Sequence, residues 1–180
     1  MKTFATFSLA AALALILGLT ASAEDRKLIE KKEAREPTTD REFVVHALNC
    51  QIFEIKVGEF VAKNGANPDV RKFAQQMVDD HTKMRKDLLD CARDLKVGVV
   101  EGFDKAKQDE FDQLKKLKGS EFDREYMRMM IEGHEKALRS CEKWSTNAKE
   151  EKLRKVCKDA VPTIRAHLDH ARKVRDSLKS

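Results

Sequence analysis

The 180-residue sequence carries 36 Lys and Arg against 31 Asp and Glu, a formal charge of +5, with 7 Gly, 3 Pro and only 6% aromatic residues. Basic and acidic residues interleave instead of forming blocks, and the few aromatics stand mostly at core spacings, which argues against a nucleic-acid footprint or a base-stacking platform. Scarce Gly and Pro, abundant Lys, Glu, Leu, Ala, Asp and Arg, and no β-branched runs of alternating polarity predict an all-α domain.

Residues 1–23 read as a secretory signal peptide, with Lys2 as the charged start, an apolar run from Phe4 to Leu19, and Ala21-Ser22-Ala23 as the small-residue cleavage site, so that the mature chain begins at Glu24. The apolar run is shorter than the ~20 residues a membrane span needs, no cysteine follows it to take a lipid, and no second hydrophobic segment follows. The expectation is an exported, periplasmic protein with no stable membrane insertion after cleavage and a net charge of +4 once Lys2 is removed from the +5 total. Residues 24–39 form a charged leader ending near Pro37, and residues 40–180 form one bundle domain.

Within that domain the first long helix opens on Thr39-Asp40-Arg41-Glu42, whose hydroxyl and carboxylate can satisfy orphan amides reciprocally, and runs to about Asn64. Asn67 followed by Pro68 is a cap with proline in the first turn, starting a second helix that runs to about Val97. The long connection over residues 98–119 holds an amphipathic stretch (Phe103, Phe111, Leu114, Leu117), read as a short helix lying across one end. Ser120 caps a third long helix to about Thr146, and Asn147 with Glu150 a fourth to about Leu178. Apolar residues alternate at spacings of four and three along all four long helices, as in the seams of a bundle. The predicted fold is an antiparallel four-helix bundle with a short extra helix between helices two and three.

Each seam is interrupted once by an ionisable side chain: Glu54, His81, His134 and His167. Burying an unpaired charge costs several kcal/mol, about 3–5 where one partner of a buried pair is lost, so such groups need hydrogen bonds or a metal. Counted from the tight turns, Glu54, His81 and His134 are level within about one turn, whereas His167 falls about 7 Å further along at 1.5 Å per residue. Pro162, one turn before His167, can shift that register. A carboxylate with three imidazoles suits a transition metal such as Fe, Zn, Cu or Mn. The residues three before His81, His134 and His167 are Val78, Ile131 and Ile164, so the Glu-x-x-His pairs of a di-iron bundle are missing and a mononuclear, histidine-rich site is expected.

Asp123 is read first as a helix cap and second as a ligand, and Cys50 is a weaker thiolate candidate. Asp80 is expected to face solvent, about 100° around the helix from His81. His46 and His170 are read first as surface residues and second as members of a further site, and no base is expected beside a cysteine. Four Cys in an exported chain point to disulfides; Cys141 and Cys157, level on neighbouring helices, are the expected pair. Two short echoes, Met77-Val78-Asp79-Asp80-His81 with Met130-Ile131-Glu132-Gly133-His134, and Val70-Arg71-Lys72-Phe73 with Leu153-Arg154-Lys155-Val156, imply different helix pairings and leave a duplicated hairpin undecided.

Together, Met77-Val78-Asp79-Asp80-His81, Phe122-Asp123-x-x-Tyr126, Ile131-Glu132-Gly133-His134-Glu135-Lys136-Ala137 and Val161-Pro162-Thr163-Ile164-Arg165-Ala166-His167-Leu168 resemble the DUF4142 family of exported bacterial proteins, over about residues 42–178. The resemblance implies a ferritin-like bundle in the periplasm or outer-membrane fraction, with Glu54, His81, Asp123, His134 and His167 as recurring positions. It implies no established reaction, and the cysteines lie outside its pattern. Two readings of function follow: a metal-binding bundle serving redox or metal-stress handling, or a non-catalytic envelope stress or interaction protein whose buried Glu/His network only sets register.

Overall fold

The computed structural model describes residues 36–99 and 101–178; the expected signal peptide, its cleavage site between Ala23 and Glu24, and most of the leader lie outside the described residues. Five helices follow in order: α1 (Asp40–Asn64), α2 (Pro68–Asp94), α3 (Lys105–Lys116), α4 (Gly119–Asn147) and α5 (Glu151–Ser177). The all-α four-helix bundle is formed by α1, α2, α4 and α5. Among the described residues no helix is long and apolar enough to cross a membrane.

The chain starts α1 at the expected place, with small changes in the capping chemistry. Thr39 Oγ1 accepts from the amide of Glu42, while the Glu42 carboxylate accepts from the amide and hydroxyl of Thr38, one residue earlier than a capping box requires. Asn67 accepts from the Asp69 amide with Pro68 in the first turn of α2. Neither Ser120 nor the pair Asn147 and Glu150 acts as the expected cap: α4 begins at Gly119 and α5 at Glu151, both without a side-chain cap of their own.

The cap for the α4–α5 turn comes from the opposite hairpin. Asp40 accepts from the amides of Lys149 and Glu150, at 3.1 and 2.7 Å. Asp123 does the same for the α1–α2 turn, accepting from Ala66 and Asn67 at 3.0 and 2.7 Å. Arg71 donates to the carbonyls of Gly65 and Ala66, and Arg154 to those of Ala148 and Lys149. Asp123 follows Asp40, and Arg154 follows Arg71, by 83 residues, as Lys149 follows Ala66 (123 − 40 = 154 − 71 = 149 − 66). The two hairpins are therefore related by an internal repeat of that spacing, which selects the Val70/Leu153 echo over the other.

These contacts also fix direction. The start of α1 meets the α4–α5 turn and the start of α4 meets the α1–α2 turn, so the connection between α2 and α4 traverses the length of the bundle. The expectation that α3 lies across one end is corrected: it runs alongside α1, with Phe103 edge-on to Phe53 at 5.3 Å and Phe111 edge-on to Phe60 at 5.5 Å between ring centroids. Its apolar residues cover the aromatic face of α1, and a connection that must reach the far end has no shorter path.

The core divides in two. Phe43, Val44, Leu48, Leu88, Trp144 and Leu153 fill the half near the α4–α5 turn, and Val57, Val61, Phe73, Met77, Tyr126 and Met130 fill the half near the α1–α2 turn. Between these apolar halves lies a polar layer containing Gln51, His81, His134 and His167, all buried.

Candidate metal centre

His81 on α2, His134 on α4 and His167 on α5 meet in that layer. Each has a ligand nitrogen within 4.8 Å of those of the other two, and the ring centroids are 5.3 to 5.5 Å apart. Exposure is 5%, 2% and 1%, so solvent has little access to the rings. His167 is no outlier. Side chains tilt toward the N-terminus of their own helix, and α5 runs opposite to α2 and α4, so His167 leans one way while His81 and His134 lean the other, which closes the gap of about one turn between their backbones.

Each imidazole uses one nitrogen as an anchor. His81 Nδ1–H donates to Gln51 Oε1 at 2.8 Å, His134 Nδ1–H to the Met130 carbonyl at 2.8 Å, and His167 Nε2–H to Asp80 Oδ2 at 3.0 Å. A carbonyl or carboxylate can only accept, so the proton on each ring is placed at the anchored nitrogen. The remaining nitrogens, His81 Nε2, His134 Nε2 and His167 Nδ1, are buried acceptors without a hydrogen-bond partner. Three lone pairs facing one another with nothing to receive them is an arrangement that a cation satisfies.

The electrostatics favour the neutral form of His81 and His167. Burial, reinforced by His134 and His167, holds His81 well below the usual imidazole range, with Asp80 opposing. Burial also lowers His167, more strongly than its hydrogen bond to Asp80 raises it. Asp80 itself is lowered: partial burial is outweighed by hydrogen bonds from His167, Lys83 and Gln76. It therefore stays ionised, a negative charge placed against the outer nitrogen of a would-be ligand.

Glu54 stands beside the triad on α1 without belonging to the group of nitrogens within 4.8 Å. Burial raises its carboxyl above the ordinary range, while His134 and Lys107 partly offset the rise, and Oε2 has no hydrogen-bond partner. Its Oε1 packs close to Gly133, where a Cβ would lie 3.5 Å away in ordinary contact. The Tyr126 hydroxyl, likewise buried and unpartnered, is pushed well above the usual phenol range by burial and by Glu54.

The model of the family described as a domain of unknown function, DUF4142, matches residues 27–174. The chain belongs to the DUF4142 family. No curated protein matches the sequence. Among solved structures, the fold of this DUF4142 chain is similar to "CopM in the Cu(II)-bound form", at 20% identity and a TM-score of 0.66, over 79% of this chain and 99% of that one. It is similar also to "CopM in the Ag-bound form (by co-crystallization)", at 20% identity and a TM-score of 0.64, over 78% and 98%. At that identity the likeness shows the shared helical fold.

Other expected residues take different places in this DUF4142 bundle. Asp123 is not at the centre: both of its oxygens are engaged by backbone amides of the α1–α2 turn, which corrects its reading as a weaker ligand and moves its capping role from its own helix to the neighbouring hairpin. Cys50 Sγ lies 3.6 Å from His46 Nε2, one turn away, so the expectation that no base stands beside a cysteine is also corrected. Burial pushes the Cys50 thiol up, but His46 and Lys107 together bring it below the ordinary range, and Cys50 in turn raises His46. All four cysteines are free thiols, so the expected Cys141–Cys157 disulfide is not formed, although Cys141 packs against the core cluster that contains Cys157.

Two functional neighbours escaped the sequence reading. Gln51 was not singled out, and Asp80 was assigned to solvent. The signal for Asp80 lay in packing: α2 contacts both α1 and α5, so a residue about 100° around from the seam still faces a helix.

Proposed function

We propose that this chain is an exported metal-binding protein that holds one transition-metal ion, copper in particular, at His81, His134 and His167, with Glu54 as the fourth donor. The observation that carries the reading is the convergence of three buried, unpartnered nitrogens whose opposite ring positions are already anchored. Imidazole suits copper, zinc, iron and nickel, whereas manganese favours oxygen donors. The similar structures are Cu(II)-bound and Ag-bound forms, which supports copper within that set. Asp80 and Glu54 supply the negative charge a cation needs in a layer walled by apolar residues. With three protein nitrogens and one adjacent carboxylate, the site is suited to sequestering or passing on the ion in the cell envelope.

The test is elemental analysis and copper titration of the purified full chain. One tightly held copper per chain is expected, with retention abolished in His81→Ala and His134→Ala and weakened in Glu54→Gln. A folded wild-type protein that takes up neither copper nor zinc at micromolar concentration overturns the proposal.

A further inference from the structure

The triad leaves four thiols unused, and they are not scattered. Each long helix carries one: Cys50 on α1, Cys91 on α2, Cys141 on α4 and Cys157 on α5. All four lie on the side of the triad toward the α4–α5 turn. Cys141 stands six residues before Asn147, the last residue of α4, and Cys157 six residues after Glu151, the first of α5. Both therefore sit about 9 Å below the turn, on adjacent antiparallel helices, and Cys141 packs against the core cluster that contains Cys157. Cys157 is 1% exposed and Cys141 half-buried, so the pair is sealed on one side and reachable on the other. Cys50 lies close enough for its charge to act on Cys141, and Cys91 close enough to act on Cys157.

Sulfur is the soft donor that monovalent copper selects, whereas imidazole is a borderline donor shared by several divalent ions. Two thiols level with one another on adjacent antiparallel helices can take a cation between them. We propose that Cys141 and Cys157 form a second metal site, distinct in chemistry from the histidine triad and selective for a soft monovalent cation, Cu(I) or Ag(I). The site lies about 10 Å from the triad, since Cys141 follows His134 by seven residues on α4. Binding replaces both S–H bonds with S–metal bonds: one M⁺ and two thiols give a bis-thiolate complex of charge −1 and release two protons to solvent, with no electron transferred. Cys141 is the half-buried member of the pair, so it engages the ion first, from the reachable side.

This proposal does not rest on the triad reading, and the two fail separately. The full chain, reduced with a phosphine and desalted without oxygen, is titrated with Cu(I) against bicinchoninate. The wild type is expected to take a copper equivalent that brings a thiolate-to-copper absorption in the ultraviolet. A triple variant (His81→Ala, His134→Ala, His167→Ala) keeps that absorption, Cys91→Ala keeps it, and Cys141→Ser loses it along with the equivalent. Alkylation of the wild type, mapped by peptide mass, is expected to show Cu(I) protecting Cys141 and Cys157 together, a readout that does not depend on any variant folding. Retention of the absorption in folded Cys141→Ser, or equal alkylation of both thiols with and without Cu(I), overturns the second site. So does a Cys141–Cys157 disulfide that resists the phosphine. A wild type that shows the thiolate absorption but binds no metal at the histidines leaves this site standing and refutes the triad instead.

Discussion

His167 and Asp80 show how one hydrogen bond turns a buried imidazole into a directed donor. With Nε2–H given to the Asp80 carboxylate at 3.0 Å, the lone pair at Nδ1 points into the centre, and the same logic applies to His81 through Gln51. Losing such an outer partner costs about 10–100-fold in metal affinity. Asp80→Ala is therefore expected to weaken copper binding by about that factor with the helical content unchanged, measured by competition with a chromophoric chelator; unchanged affinity would remove Asp80 from the centre. Protonation gives a second residue-scale prediction. His81 and His167 bind protons less readily folded than unfolded, where imidazoles titrate near their ordinary 6.5, so the metal-free protein is most stable above that pH and loses stability as the pH falls below it. Glu54, raised above the ordinary 4.5 of a glutamate, acts in the opposite sense, because the folded state holds its proton longer. Urea midpoints of the metal-free protein should then fall from pH 7 to pH 5, and fall more steeply in Glu54→Gln; a flat profile in that variant would contradict the lowered His81 and His167. The three histidines were legible as interruptions of apolar seams. Their anchors were not, because seam counting fixes where along a helix a residue lies and says little about which neighbour faces its flank.

At the scale of elements, the bundle is two hairpins that close each other's turns. Asp40 and Asp123 each accept two backbone amides from the opposite hairpin, and Arg71 and Arg154 each hold two carbonyls of the same turns. Leaving partly buried amides unpaired costs about 1–3 kcal/mol, so Asp40→Ala and Asp123→Ala should each destabilise by that order, and by similar amounts, in denaturant unfolding. A large effect at one site and none at the other would argue that the repeat is not energetically symmetric. Packing inside the first hairpin is tight at Gly58, where an added Cβ would lie 2.9 Å from Val78 Cγ2 and 3.1 Å from the Ala74 carbonyl. Gly58→Ala is expected to cost about 1–3 kcal/mol by overpacking, despite the better helix propensity of alanine. Helix positions were readable from periodicity and from Asn67-Pro68, since those signals are local. The caps at the second turn were misassigned because the accepting carboxylate, Asp40, is more than a hundred residues away in the chain, and no local pattern reports a partner at that distance.

For the molecule as a whole, the long α2–α4 connection decides what the centre joins. Because it traverses the bundle, α2 runs parallel to α4 and opposite to α5, and the triad draws one ligand from the first hairpin (His81) and two from the second (His134, His167). Composition and seam pattern were enough to read a four-helix bundle with a central polar layer, whereas the path of α3 depended on contacts such as Phe53 with Phe103 that no spacing rule encodes. An ion held in that layer ties the two hairpins together between two separate apolar halves of the core, so its removal should be felt globally and not as a local loosening. Binding to the folded state alone stabilises by about 2.7 kcal/mol at a free ligand concentration of 100 times the dissociation constant. At about 2–4 °C per kcal/mol for a domain of this size, copper should raise the thermal midpoint by about 5–10 °C under those conditions. The rise should grow with copper concentration, reverse on chelation, and vanish in both His81→Ala and His134→Ala, although these residues sit on different hairpins. If His81→Ala removed the shift while His134→Ala kept it in full, the ion would be held by the first hairpin alone, and the centre would not be the tie between the two halves of the repeat.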